Sequence, residues 1–474
     1  MKIQIRKILV VVVLSLSVVS IARASLTEKI DFIISQPSQK KVDYSVCVIN
    51  AATGRTVYEH NGYTALIPAS NMKVITTSAA LRYLGSDFEY KTKIGIQDGN
   101  LIIIGSGDPL FGDNINDEKY SRERGWILKD ITKALKDNNI TSIKNIIIDT
   151  GVFDNELVHP SWPKEELNRS YACEVSGLNY SDNCIDMSLE NVNGQINISI
   201  EPDTSYVTLV NEVKAISSGD SAVAAYRNTQ PNLLTIKGTC KNKVGPFEVT
   251  IEKPAAFFGF VLAEYLSKNG IGITGQLIEK ASVKTDDYKQ IDEFITPIVD
   301  CLNRCNKDSL NFAAEALMKT IAAYNNPDDR NGSWAQGAEL IGGFLKELNI
   351  DENEFVIDDG CGLSRKDQIS ANVIAKVLLD VYKGSNWELY RDSLAIGGVD
   401  GTGPVSDYFK EEKYRGKVLA KSGTITGVKA LSGICITGGG DYIFSIITNN
   451  AVGSTRQTIN DIVETIIDDV EEEI

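Results

Sequence analysis

The chain has 474 residues, 43% hydrophobic and 23% charged, the proportions of an ordinary globular protein with room for two or three domains of about 150 residues each. Its formal net charge is −15. That leaves no basic footprint for nucleic-acid phosphates and no electrostatic reason to dock on anionic lipid.

Residues 1–24 have the pattern of a secretory signal peptide, with a basic start (Lys2, Arg6, Lys7), an apolar core over 8–20 and a small-x-small site at Ala22-Arg-Ala24. The apolar run falls short of the ~20 residues that span a bilayer. No cysteine stands at the cleavage point to carry a lipid. The mature chain is expected to begin near Ser25, without a transmembrane anchor, and to work outside the cytoplasm. Eight cysteines then meet an oxidising compartment, but Cys47 and Cys435 lie in apolar strand-like runs where cysteine serves as a small hydrophobe, and the sequence fixes no pairing. Cys301 and Cys305 have no Cys-x-x-Cys or histidine cluster beside them to suggest zinc. Both histidines, His60 beside a turn and His159 ahead of Pro160-Ser-Trp-Pro163, read as surface-loop residues. With no Gly-x-Ser-x-Gly elbow either, a serine enzyme here needs lysine as its base.

After the leader, 26–35 reads as a helix, and 44–50 and 55–59 as the strands of a hairpin. The stretch 66–84 reads as a buried helix entered through Pro68, which is tolerated in a first turn. Ser70 and Lys73 sit one turn apart on it, so hydroxyl and amine lie side by side. A lysine in apolar surroundings loses charge stabilisation, and a neutral amine can take a serine proton and make it a nucleophile. At a helix start, Ser70 also lies near unpaired backbone N–H groups that can bind an oxyanion. Ser-x-x-Lys recurs at Ser38–Lys41, in a polar run, and at Ser161–Lys164, which contains Pro163; neither suits a buried helical pair.

From residue 90 the character changes. Strands are expected at 90–96 and 101–104, followed by Gly105-Ser-Gly-Asp-Pro109, which lacks a phosphate-loop pattern and reads as a turn. A helix at 126–138, a strand at 143–150, strands within 170–290 (196–200, 207–210, 233–237, 247–251) and a helix at 255–269 make residues 90–290 a β-rich insertion, expected to form two small domains. It divides a catalytic domain made of 25–89 and 291–474. Helices at 309–324, 334–348 and 371–382 precede strands at 418–421, 428–437 and 442–449. The last helix, 456–473, carries Ile459, Ile462, Val463, Ile466, Ile467 and Val470 on one stripe with an acidic face opposite, which suits packing on the sheet.

Two further short patterns carry chemistry. Lys421-Ser-Gly423 is the only Lys-[Ser/Thr]-Gly in the chain; its glycine permits close approach at a strand edge, where an extended peptide can pair and the lysine meets an acidic end. Ser309-Leu-Asn311 opens a predicted helix. The other Ser-x-Asn pairs are Ser181–Asn183, inside the insertion, and Ser370–Asn372, where Ser370 reads as a helix cap.

In this order, Ser70-x-x-Lys73, Ser309-x-Asn311 and Lys421-Ser-Gly423 resemble the three motifs of the penicillin-recognising serine enzymes. The long gap after the first resembles the D-alanyl-D-alanine carboxypeptidase/endopeptidase family, the class C low-molecular-mass penicillin-binding proteins (peptidase family S13), which carry a large insertion after the nucleophile helix. Ile67-Pro-Ala-Ser-Asn-Met-Lys73, Gly105-Ser-Gly-Asp-Pro109, Asp359-Gly-Cys-Gly-Leu-Ser-Arg365 and Gly398-Val-Asp-Gly-Thr402 extend the likeness over about residues 27–455. Cys361 replaces a usual serine, Leu310 a frequently polar residue and Ser422 a usual threonine; the cysteine bears on any substrate contact made at that point.

The resemblance implies an α/β fold, an antiparallel sheet flanked by helices and split by the insertion. It implies Ser70 as nucleophile, Lys73 as base, and the N–H groups of Ser70 and Thr424 as oxyanion hole. Ser309 and Lys421 would relay a proton, and Asn311 would hold Lys73 and the substrate amide. Ser422, Gly423 and Thr424 would bind the substrate's terminus, with Arg365 at the far end of the stem peptide. The implied partners are peptidoglycan peptides ending in D-Ala-D-Ala and β-lactams, met in the periplasm or cell-wall space, with no cofactor and no metal. A serine β-lactamase is an alternative, though no motif supplies a dedicated deacylating base. A non-catalytic peptidoglycan-binding protein is another, against which the intact Ser70, Lys73 and Lys421 argue.

Overall fold

The computed structural model describes residues 24–284, 287–325 and 331–472; the expected signal peptide, but for Ala24, lies outside the described residues. A six-stranded antiparallel sheet runs in the order Ala395–Ile396, Val418–Ile425, Val428–Cys435, Tyr442–Asn449, Asp43–Asn50, Thr56–His60. Its central strands are buried almost throughout, so both faces need cover. The helices Leu26–Ile34 and Thr455–Glu471 cover one face, and the Ile459, Ile462, Val463, Ile466 and Ile467 stripe packs there as its periodicity requires. Cys47 and Cys435 are buried in the sheet, and all eight cysteines are free.

The helix Met72–Leu84 lies on the other face with Asn311–Asn325, Trp334–Glu347 and Ala371–Lys383, around a core that includes Ile75, Leu317, Ile321, Phe344 and Ile374. Met72–Leu84 is buried without a break from Met72 to Leu81, as expected of a helix enclosed on all sides. Its entry differs from the sequence expectation. Pro68 precedes a 3-10 turn, Ala69–Asn71, and the α-helix starts at Met72. Ala69 takes φ +48, a left-handed backbone that costs a non-glycine residue energy and is held by its surroundings.

A separate apolar core, with Ile94, Ile103, Ile131, Ile148, Phe258 and Leu262, lies under a five-stranded mixed sheet ordered Leu277–Lys280, Ile146–Asp149, Asn100–Ile104, Glu89–Gln97, Lys289–Pro297. Two three-stranded sheets adjoin it, and their strands Cys184–Val192 and Ala222–Arg227 escaped the sequence reading. So did the helix Ile298–Asn306, whose Cys, Asn and Asp content is poor in helix formers. Ser370 accepts the Val373 N–H at 3.2 Å and caps its helix. Among the described residues no helix is long and apolar enough to cross a membrane.

Candidate active site

Ser70 lies on the 3-10 turn that leads into the buried helix, and Lys73 one turn later is 0% exposed. The Lys73 Nζ donates to Ser70 Oγ at 3.1 Å, Asn311 Oδ1 at 2.6 Å and the Cys361 carbonyl at 3.1 Å. All three partners are oxygens, and none of them carries a charge. A second amine–hydroxyl pair shares the site. Lys421, 1% exposed, donates to Ser309 Oγ and to the Ser422 carbonyl, both at 2.9 Å. Burial, reinforced by the neighbouring Lys73 and Arg456 charges, holds the Lys421 pKa well below the usual lysine range.

Ser309 does not open the helix as expected; the helix begins at Asn311, and Ser309 takes φ +61 in the connection. The strand Val418–Ile425 packs directly on the nucleophile turn. A Cβ on Gly423 would come 2.9 Å from the Pro68 carbonyl and 3.0 Å from the Ser70 nitrogen, so only glycine lets the strand come this close. Next along the sheet edge, Thr402 Oγ1 lies 3.3 Å from Ser422 Oγ. Arg456 donates to the Gly423 carbonyl and to Thr424 Oγ1.

The third Lys73 contact comes from a loop held by two buried carboxylates. Glu315 accepts the Gly360 N–H at 3.0 Å and the Trp334 indole at 2.6 Å. Asp359 accepts the N–H groups of Cys361, Gly362 and Ser364 and the Trp162 indole. Burial, with the nearby Asp359 charge, pushes the Glu315 pKa up to about 8. Glu315, Asp359 and Cys361 offer ligand atoms within 4.8 Å of one another, the one such grouping among the described residues. All four carboxylate oxygens already accept N–H bonds, so this chemistry fixes the loop.

The Cys361 side chain packs against Trp162, Cys305, Ala313 and Ala314, away from solvent. A substrate contact is therefore not what this position supplies; its backbone carbonyl holds Lys73. His159 also departs from expectation. It is 3% exposed, its Nδ1 accepts the Ser161 N–H, its Nε2 lies 2.9 Å from the Asp358 carbonyl, and its ring contacts Trp162 and Trp334.

These groups open on a cleft of ≈ 420 Å³ lined by Ser70, Ser309, Asn311, Thr424, Arg365 and Tyr171, among others. Arg365 is exposed at its rim and donates to the Thr426 carbonyl at 2.8 Å. The cleft thus gathers residues that the chain spreads from 70 to 426. Three larger clefts, ≈ 970, ≈ 1050 and ≈ 530 Å³, lie elsewhere and contain neither amine–hydroxyl pair. Sequence reading missed the segment carrying Pro163, Glu166 and Tyr171, which lines the cleft from the inserted region; the Tyr171 carbonyl accepts Asn311 Nδ2 at 2.8 Å. It also missed Arg456 and the Glu315–Asp359 cradle. No periodicity or motif marks Arg456 or Glu315, and the Asp359-Gly-Cys-Gly-Leu-Ser-Arg365 stretch gives no sign that its first residue holds the loop from within.

The model of the D-Ala-D-Ala carboxypeptidase 3 (S13) family matches residues 26–470. A D-alanyl-D-alanine carboxypeptidase of Actinomadura sp. (strain R39) is 25% identical over 469 residues, covering 92% of this chain and 83% of that protein. The crystal structure of penicillin binding protein 4 (dacB) from Haemophilus influenzae superposes with TM-score 0.78 at 22% identity, covering 93% of this chain and 99% of that one. The same protein complexed with a β-lactam gives TM-score 0.72 at 21% identity over 92% and 98% of the two chains. These solved structures share the fold.

Proposed function

Because the chain belongs to the D-Ala-D-Ala carboxypeptidase 3 (S13) family, we propose that it is a serine D-alanyl-D-alanine carboxypeptidase and endopeptidase acting on peptidoglycan stem peptides and their cross-links. The observation that carries this reading is the buried Lys73 amine, 3.1 Å from Ser70 Oγ and held only by neutral acceptors, beside a second pair formed by Lys421 and Ser309.

In the proposed reaction Ser70 Oγ attacks the carbonyl carbon of the penultimate D-alanine and gives its proton to the Lys73 amine as general base. The N–H groups of Ser70 and Thr424 receive the oxyanion. Collapse of the intermediate breaks the C–N bond, and the leaving amine takes its proton by way of Ser309 Oγ and Lys421. Asn311 orients Lys73 and the substrate amide. Ser422 and Thr424 hydroxyls hold the terminal carboxylate, Gly423 allows the peptide's approach, and Arg365 meets the distal end of the stem peptide. Water then hydrolyses the ester on Ser70.

β-Lactams acylate the same serine, a reading supported by the β-lactam complex of the H. influenzae relative. Residues 1–24 act as a signal peptide, and the mature protein works in the periplasm or cell-wall space. The catalytic unit is 25–89 with 291–474, and 90–290 is the inserted region of two small domains; the apolar core that includes Ile94, Ile148, Leu234 and Phe258, apart from those of the catalytic unit, supports an inserted region with packing of its own.

The test is D-alanine release from a stem pentapeptide, and cleavage of a D,D-cross-linked peptide dimer. Release or cleavage blocked by prior benzylpenicillin is the expected result. No reaction on either substrate would overturn the reading.

A further inference from the structure

Arg456 stands at the start of the helix Thr455–Glu471 and is 7% exposed. Its guanidinium reaches the back of the strand that carries Lys421, Ser422 and Gly423. Nη2 donates to the Gly423 carbonyl at 3.1 Å and to Thr424 Oγ1 at 3.0 Å, and Nη1 donates to the Ala430 carbonyl at 3.2 Å. All three acceptors are neutral. Arg456 has no ion-pair partner among the described residues, and burial holds its pKa down to about 10, with only the Tyr408 phenol opposing.

A guanidinium buried without a carboxylate is costly, because neutral oxygens replace only part of its hydration. The surroundings deepen the deficit. Lys73 and Lys421 are buried nearby, also without acidic partners, and the Arg456 charge bears on both Lys421 and Lys429. Three buried basic side chains, Lys73, Lys421 and Arg456, lie near one another beside a cleft whose proposed substrate ends in a carboxylate.

The Thr424 hydroxyl is the link. It has one hydrogen to give and lone pairs to receive. Arg456 takes up a lone pair, which leaves the hydrogen free to point elsewhere. It rests on the Gly423 carbonyl at 2.8 Å, an oxygen that Arg456 already serves. Thr424 is exposed on the cleft beside Ser70, so the same hydrogen can turn to an anion entering there. Donation from a cation into Oγ1 strengthens the hydroxyl as a donor.

We propose that Arg456 is a positioning residue that supplies the charge for carboxylate recognition: through Thr424 it fixes a hydroxyl as donor to the substrate's terminal carboxylate and makes the protein select free-acid peptides over uncharged analogues. The inference rests on the reading that Ser422 and Thr424 face that carboxylate.

The test compares kcat/KM for a peptide ending in D-Ala-D-Ala with that for its C-terminal carboxamide, in wild type, Arg456→Gln and Arg456→Lys. Wild type should prefer the acid. Arg456→Gln should lower the acid-to-amide ratio about tenfold, the scale of a lost charge-assisted bond, mostly through KM for the acid, and Arg456→Lys should recover part of it. If Arg456→Gln does not fold, Thr424→Val, which keeps the buried charge but removes the hydroxyl, should lower the ratio likewise. Rates on both peptides falling together at constant ratio, in either variant, would reduce Arg456 to a structural role and overturn the proposal. Wild type inactive on the acid peptide would overturn the functional reading, and the inference with it.

Discussion

Lys73→Ala is expected to slow acylation of Ser70 by at least ~10³, the scale on which removal of a catalytic group acts. Lys73 Nζ is the basic atom in hydrogen-bond reach of Ser70 Oγ, and its three contacts fix its direction. Without it the serine hydroxyl keeps its ordinary, weakly nucleophilic character. The truncation also leaves Asn311 Oδ1 and the Cys361 carbonyl without this donor, at roughly 1–3 kcal/mol for each buried group left unsatisfied. A loss of ~10³ in rate is about 4 kcal/mol of barrier and has to appear in protein that still melts cooperatively. Lys73→Met, which keeps the volume but also lacks the amine, should lose as much rate without the cavity that alanine leaves. Stopped-flow acylation by benzylpenicillin, with thermal melts alongside, reads both. A variant within tenfold of wild type would move the base elsewhere, first to Lys421 acting through Ser309.

Gly362→Ala is expected to lose at least ~10² in acylation and to be destabilised by roughly 2–5 kcal/mol, the range of overpacking added to left-handed strain. Gly362 takes φ +82, and a Cβ there would lie 1.8 Å from the Ala69 carbonyl oxygen. No rotamer relieves a Cβ against backbone. Either Ala69 moves, and Ser70 with it, or the 359–365 loop moves and withdraws the Cys361 carbonyl from Lys73. Gly416→Ala is the control, with φ +79 but nothing within 4 Å of its Cβ; it should cost about 1 kcal/mol of stability and leave the acylation rate near wild type. If both variants behave alike, the close approach of the loop to the nucleophile turn has no catalytic consequence.

The parts of this site legible in the sequence are those whose geometry is local. Ser70 and Lys73 share one turn, so their spacing alone brings them together. The Lys421-Ser-Gly423 strand and the Ile459–Val470 stripe follow from period and composition. That the three motifs meet was not readable from spacing, because the intervening chain folds into other sheets; family resemblance supplied it. What escaped is set by tertiary contact. Glu315 looks like an ordinary helical glutamate, yet Trp334 and Gly360 enclose it. His159 sits in a proline-rich stretch that reads as surface but is covered by two tryptophans. Ser309 reads as helical, and the left-handed backbone at that residue delays the helix to Asn311. Arg456 is one basic residue at the head of an acidic helix, and only the sheet beneath it reveals its burial.

The most direct test is intact-protein mass spectrometry, with peptide mapping, of the protein incubated with benzylpenicillin beside Ser70→Ala. The expected result is one adduct of penicillin mass on Ser70, persisting for minutes or longer, and none on the variant. Penicillin consumed without a lasting adduct would instead mean rapid deacylation and a β-lactamase. An adduct that persists in Ser70→Ala, or intact penicillin with unmodified wild-type protein, would contradict Ser70 as the acylated nucleophile of a penicillin-binding peptidase.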